Sequence, residues 1–272
     1  MTLSADAIRR HLGDATAKLE TLEVFAEIES TNSHLMQQPG PSKGYVRVAV
    51  TDNQTAGRGR HGRSWHSPPG SGLCLSLAYT FSSRPDNLPA MTLAVGLAVV
   101  NALQEHGIEG VQLKWPNDLV AQDSKLGGIL TEARAQAEGA ISVVTGIGLN
   151  LDLSAYPELD LQAGWAQRGI DLKSHAQDPP DKNALASSIV KRLFRLLPDY
   201  EAGGFAQFRD QWQQYDWLRG RLLTIETPKQ WITGVAAGIA DDGALLVEAG
   251  SAGIQRVTSG TVTQADMLER VT

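Results

Sequence analysis

Residues 54–65 read QTAGRGRHGRSW, and the choice of fold turns on how that stretch is read. It carries three glycines, three arginines and no acid, in a chain whose formal net charge is −6. Glycine gives the backbone little preferred shape, and Arg58, Arg60 and Arg63 repel one another unless an anion lies between them. The expectation is a loop that is mobile when empty and orders over a phosphate or carboxylate. Gly57, Gly59 and Gly62 also spell GxGxxG, the dinucleotide fingerprint. Gly57 to Ser64 comes within one residue of a P-loop, with Arg63 where lysine belongs. Both motifs need a helix to begin inside them, so that its N-terminus meets the phosphates. Residues 64–70, SWHSPPG, cannot be helical, so both readings fail. A solvated Gly/Arg turn is the bland alternative, and the flanking sequence has to decide.

Working outward, residues 45–51 form a valine-rich strand pattern that enters the loop, and 73–79 form one that leaves it. The loop is therefore expected to join neighbouring strands at one edge of a sheet. Upstream, Ser4 caps a short helix through Leu12 that stops at Gly13, and residues 22–28 alternate as a strand. Ser30-Thr31-Asn32 follows, and either hydroxyl can cap a helix running toward Gln38. Downstream, residues 88–106 read as a buried helix ended by Gly107, with Met91, Val95, Val99 and Leu103 at four-residue spacing.

Residues 111–115 are a strand stopped by Pro116. Lys114 lies inside it, which is costly unless its amine reaches an anion or water. The run Lys125-Leu126-Gly127-Gly128-Ile129-Leu130 is a strand opening on a glycine pair, and 141–151, with Gly146, Gly148 and Asn150, repeats the device. Glycine there lets a ligand or another backbone come close. Three strands that combine glycine with a hydrogen-bonding residue lower the weight of the bland readings.

Residues 154–181 are irregular, with a turn at Asp178-Pro179-Pro180; amphipathic helices are expected over 182–200 and 205–217. Beyond Gly220 come short β-prone runs at 222–227, 231–240, 245–249 and 254–261, with Asp241-Asp242-Gly243 as a hairpin signal. They fit a small SH3-like barrel. The fold class is thus α+β. The expected division is a helical segment over 1–20, a catalytic domain over 21–218 and a C-terminal domain over 219–272.

The 272 residues hold 24 Lys+Arg against 30 Asp+Glu, which argues against nucleic acid as the main partner and makes the arginines of the loop a local feature. The single cysteine, Cys74, excludes an internal disulfide and fits reducing cytosol. The N-terminus carries no basic-then-apolar signal pattern, and the longest apolar helix candidate, 88–103, is short for a membrane span and interrupted by Thr92 and Asn101. A cytoplasmic protein without membrane or DNA contacts is expected.

Taken in order, Ser30-Thr31-Asn32, Gln54 with GRGRHGRSW over 57–65, KWPND over 114–118, KLGGIL over 125–130 and GIGLN over 146–150 resemble the biotin protein ligases. The resemblance runs from about Val24 to the end of the chain. It implies a mixed β-sheet domain with helices on one side, followed by the small C-terminal barrel. It also implies a two-step reaction, in which biotin and ATP with Mg²⁺ form biotinyl-5'-adenylate and the acyl group passes to a lysine. The implied acceptor is the biotin carboxyl carrier domain of acetyl-CoA carboxylase or another biotin-dependent carboxylase.

By the same resemblance Ser30, Thr31, Asn32, Gln54, Arg58, Gly59, Arg60, Lys125 and Gly146 hold biotin. Arg58, Arg60, Arg63, Trp65, Lys114, Asn117, Asp118, Lys125 and Asn150 hold ATP or the adenylate. Lys125 and Arg60 are the catalytic pair, and Asp118 is the candidate Mg²⁺ ligand. Longer members add an N-terminal DNA-binding domain. Only 21 residues precede Leu22, so a ligase without repressor function is expected.

The chemistry explains the residue types. Setting a carboxylate against a triphosphate brings like charges together, and Arg58, Arg60, Lys114, Lys125 and Mg²⁺ offset that repulsion. No protein nucleophile is required, and none is flanked by a histidine and an acid. His61 reads as a passenger, and Asp118 is a conceivable proton acceptor for the incoming amine. Lipoate ligation and non-catalytic adenylate binding remain as alternatives, separated by lipoate labelling and by pyrophosphate release.

Overall fold

The computed structural model describes residues 2–136, 139–157, 159, 169–176 and 178–267. A seven-stranded sheet is ordered β1-β2-β3-β7-β6-β5-β4, from β1 (Leu19–Phe25), β2 (Val46–Thr51), β3 (Gly72–Phe81), β4 (Gln112–Lys114), β5 (Asp118–Ala121), β6 (Ser124–Ala135) and β7 (Ile141–Asn150). β1 and β2 run parallel and every other pair is antiparallel, so the sheet is mixed. The arginine stretch joins neighbours, as expected. It does not lie at the sheet edge, because β1 pairs outside β2.

Side-chain alternation divides the sheet into two faces. Val46, Val48 and Val50 of β2 and Leu73, Leu75 and Leu77 of β3 point into the main core. There they meet α1 (Ala5–Leu12), α3 (Met91–Glu105) and, after the one-turn α4 (Leu172–His175), α5 (Lys182–Gly203). Ser4 caps α1 as read from the sequence, and Leu97, Val99 and Leu103 of α3 are buried, each contributing roughly 1.5–3 kcal/mol. The alternate residues Ala49, Ala78 and Val144 face the other way, beneath α2 (Thr31–Gln37). Thus α1, α3 and α5 cover one face and α2 sits on the other. That second face carries the cavity described below.

Several local expectations change, beginning with the strand read over 22–28, which lies three residues earlier as β1 because its pairing with β2 runs from Leu19 to Phe25. Residues 205–217 are not one helix, since only α6 (Arg209–Gln213) is α-helical, after a 3-10 turn over Ala206–Phe208. β5 was not foreseen. It turns into β6 through Gln122 and Asp123, whose φ angles of 48° and 54° make a two-residue hairpin without the glycine that normally signals one.

After the chain leaves the first sheet, β8 (Arg221–Glu226), β9 (Trp231–Ile239), β10 (Leu245–Glu248), β11 (Ile254–Val257) and β12 (Thr261–Met267) form an antiparallel sheet ordered β11-β10-β9-β8-β12. Among the described residues β11 and β12 do not pair, so no hydrogen-bonded ring closes. The run 254–261 is two strands, broken by Thr258, Ser259 and Gly260, and β12 returns to pair with β8. The Asp241-Asp242-Gly243 turn does join β9 to β10. Leu223, Ile225 and Val247 of this sheet share one continuous apolar core with α3.

Candidate active site

β-Register builds the floor of the site. Cys74 on β3 lies opposite Gly148 on β7, which lies opposite Gly128 on β6, then Asp118 on β5 and Lys114 on β4. Two glycines in mid-row leave a trough, and the Trp65 indole fills it. A Cβ on Gly148 would fall 2.5 Å from Trp65 Cε2, and one on Gly128 would fall 3.6 Å from Cζ3. The next row is Ser76, Gly146 and Leu130, and Asn32 from α2 occupies the space that Gly146 leaves open.

Hydrogen bonding on that second row is fully assigned by counting protons. Ser76 Oγ donates to Asn32 Oδ1 at 2.6 Å, so it must accept from Thr31 Oγ1 at 2.7 Å. Gln54 Oε1 then takes its hydrogen bond from the Thr31 backbone N–H at 2.8 Å. Ser30 caps α2 by accepting from Ser33 N–H. The resulting shelf of small polar groups is suited to a ligand with a cyclic urea or amide edge.

The opposite end is electrostatic. Lys125 Nζ lies 2.7 Å from Asp118 Oδ1, and Lys114 Nζ lies 3.8 Å from Oδ2. Lys114 is 3% exposed and Asp118 7%. Burial pushes the Lys114 amine down to about 8, against the pull of Asp118, and Lys125, Arg63 and Arg60 add to the depression. Burial also lowers the pKa of Arg60, whose guanidinium donates to Asn117 Oδ1 at 3.3 Å. Asn117 is itself fixed by donating to Ile129 O at 3.0 Å.

The glycine-rich stretch has a definite shape. Gly59 N–H donates to Arg63 O, Arg63 N–H to Arg60 O, and Trp65 N–H to Gly57 O, a small hairpin with His61 at φ 56° in its tip. Gly57 is required because a Cβ there would run into the Trp65 carbonyl. The hairpin lies over the two rows and encloses with them a cavity of about 1000 Å³, part of it open to solvent.

Of the residues singled out from the sequence, Ser30, Thr31, Asn32, Gln54, Arg58, Gly59, Arg60, Arg63, Trp65, Lys114, Asn117, Asp118, Lys125 and Gly146 all line that cavity. Asn150 does not. Its side-chain amide donates to Ile170 O at 3.0 Å and to Lys125 O at 3.4 Å, holding the start of β6 from behind. Residues missed from the sequence are Cys74 and Ser76 on β3, and Gly260, Thr261 and Val262 from the C-terminal sheet. Ser76 was findable as a small polar residue between leucines on an apolar strand. No local signal points to residues 260–262. His61, read as a passenger, lines the rim.

Among the described residues no cluster of three or more His, Cys, Asp or Glu is placed to hold a metal. Leu88–Glu105, the one helix there long and apolar enough to cross a membrane, is mostly buried in the protein.

Residues 24–150 match the biotin/lipoate A/B protein ligase family, and residues 220–263 match the biotin protein ligase C-terminal domain. The bifunctional ligase/repressor BirA of Escherichia coli is 32% identical over 231 residues, covering 84% of this chain and 69% of its own. The biotin–[acetyl-CoA-carboxylase] ligase of Mycobacterium tuberculosis is 30% identical, with 91% of each chain covered. The biotin protein ligase from Aquifex aeolicus, solved in complex with biotin and ATP, superposes with a TM-score of 0.74 at 27% identity, covering 89% of this chain and 97% of that one. Cavity, sheet order and sequence likeness converge on one assignment: this chain belongs to the biotin/lipoate A/B protein ligase family, in its biotin protein ligase branch.

Proposed function

We propose that the protein joins biotin to AMP at the expense of ATP and then passes the biotinyl group to a lysine of a biotin carboxyl carrier domain in the cytoplasm. The observation that carries this reading is the convergence of Lys125, Lys114, Arg60 and Arg63 on one end of a cavity whose other end is an uncharged hydrogen-bonding shelf. A bicyclic urea fits the shelf, and its side-chain carboxylate extends toward the cations. ATP is the partner that makes use of those cations.

In the first step a biotin carboxylate oxygen attacks the α-phosphorus, and the bond to the β-phosphate breaks to release pyrophosphate. Lys125 carries three N–H donors and spends one on Asp118, so two remain for the carboxylate and the α-phosphoryl oxygens. Arg60, drawn inward to Asn117, supports the charge that builds on phosphorus. In the second step an amine nitrogen attacks the acyl carbon and AMP leaves. The amine sheds a proton as the amide forms, and Asp118, between the two lysines, is the carboxylate placed to accept it.

Asp118 is the single carboxylate lining the cavity among the described residues, and two ammonium groups already flank it. That donor set fits a Mg²⁺ ion that arrives on the triphosphate and takes one protein oxygen. When bound, the ion would neutralise phosphate charge. Residues 21–218 carry the chemistry in this reading, and 219–272 close the cavity through residues 260–262.

Incubation with biotin, MgATP and an apo carrier domain tests the proposal by mass spectrometry. One biotinyl group on one carrier lysine, with stoichiometric pyrophosphate, is expected. Biotin binding without pyrophosphate release would overturn it, and lipoyl addition in preference to biotin would shift it to the other branch.

A further inference from the structure

Glu132 lies on β6, one row beyond the shelf, opposite Val144. Its two oxygens serve different elements. Oε1 accepts from Arg58 Nη2 of the hairpin at 2.5 Å, and Oε2 accepts from Asn32 Nδ2 of α2 at 3.0 Å. Arg58 also donates through Nη1 to Ser33 Oγ at 3.1 Å. Asn32 continues to Ser76, Ser76 to Thr31, and the Thr31 backbone to Gln54, where the arginine stretch begins. A closed circuit therefore leaves the stretch at Gln54, crosses the floor of the cavity and returns to it at Arg58.

We propose that Glu132 is a positioning residue that latches the hairpin to the shelf, so that a ligand ordering the shelf also holds the hairpin shut. The inference rests on the biotin ligase reading, since the shelf is the part assigned to biotin. Three features support it. Glu132 is ion-paired directly to the hairpin, through Arg58. Asn32 is 4% exposed, and its amide is fixed with nitrogen toward the carboxylate and oxygen toward Ser76, so a change at either end reorients it. The Arg58 side chain is 47% exposed and that of Glu132 21%, so the pair adds little to folding and can open without unfolding anything.

The test is a double-mutant cycle on the rate of release of preformed biotinyl-adenylate, with biotin dissociation from the wild type measured first. A wild type that fails to bind biotin defeats the functional reading and is distinguishable from failure of the latch. Glu132→Ala and Arg58→Ala should each speed adenylate release by about tenfold or more, with the double variant no faster than the faster single. Thermal unfolding should be unchanged in both, and for Glu132→Ala the kcat of pyrophosphate exchange should stay within about threefold of wild type while the biotin KM rises. Glu132→Gln keeps one acceptor oxygen and should fall between wild type and Glu132→Ala. Wild-type release from Glu132→Ala overturns the latch, as do additive effects in the double variant. Should Glu132→Ala unfold, wild-type release from a folded Glu132→Gln overturns it equally.

Discussion

The arginine hairpin and the Lys114–Asp118 corner bring positive charge to the same cavity by opposite means. At the corner, Lys114 and Asp118 face each other across β4 and β5, almost sealed from water, and register leaves them nowhere else to go. On the hairpin, Arg58 and Arg63 are exposed, and the backbone is closed by three short-range hydrogen bonds. Buried charge is expensive but stays in place; exposed charge is cheap to move. A site that must hold phosphate during bond making, yet admit and release ligands, has use for both.

The sharpest way to break this contrast is Lys125→Met. It should reduce biotin-dependent pyrophosphate exchange by about a thousandfold or more with little change in urea midpoint, and exchange above a tenth of wild type would remove Lys125 from the fixed set. Next in size is Asp118→Asn, which removes the carboxylate charge that faces Lys114 and Lys125 and should cost about 2–4 kcal/mol of stability in urea titration at pH 7. A loss under 1 kcal/mol would show that the corner is not held by charge.

Arg60→Ala should let adenylate escape roughly tenfold to a hundredfold faster, since the hairpin loses its inward anchor on Asn117. Equal retention would mean that the hairpin is no lid. Lys114 gives a smaller, pH-dependent effect. Its amine sits near 8 in the fold against an ordinary 10.5, so between those values the unfolded chain binds more protons. Stability should therefore rise with pH through that window, and kcat/KM for ATP should fall above about pH 8 as the charge is lost. Lys114→Met should flatten the stability curve, and Lys114→Arg should remove the falling limb. Smallest of all, Arg58→Ala should change stability by less than about 1 kcal/mol, a null result that only the exposed side of the contrast predicts.

Much of this was legible along the chain. The β-prone runs that form β2, β3 and β7, the cap on α1 and the four-residue repeat in α3 are local signals, and each stands where the side-chain pattern put it. Residues 205–217 misled because Phe205 and Trp212 are buried by the core beneath them rather than by a continuous helix face. The β5–β6 turn was invisible because Gln122 and Asp123 adopt left-handed angles under tertiary constraint instead of glycine preference. For Asn150 the sequence showed a polar residue at a strand end, and tertiary structure supplied the partners of its amide nitrogen, Lys125 O and Ile170 O.

By itself the sequence determined most of the strands along the chain, the family, and fourteen of the residues that meet in the cavity, because motif spacing and side-chain period are properties of a single chain. Tertiary structure alone decided that Gly148 and Gly128 share a row under Trp65, that residues 260–262 close the cavity, and that Glu132 joins the hairpin to the shelf. Such relations depend on which strand lies beside which and in what register, and that is fixed by burying the core as a whole.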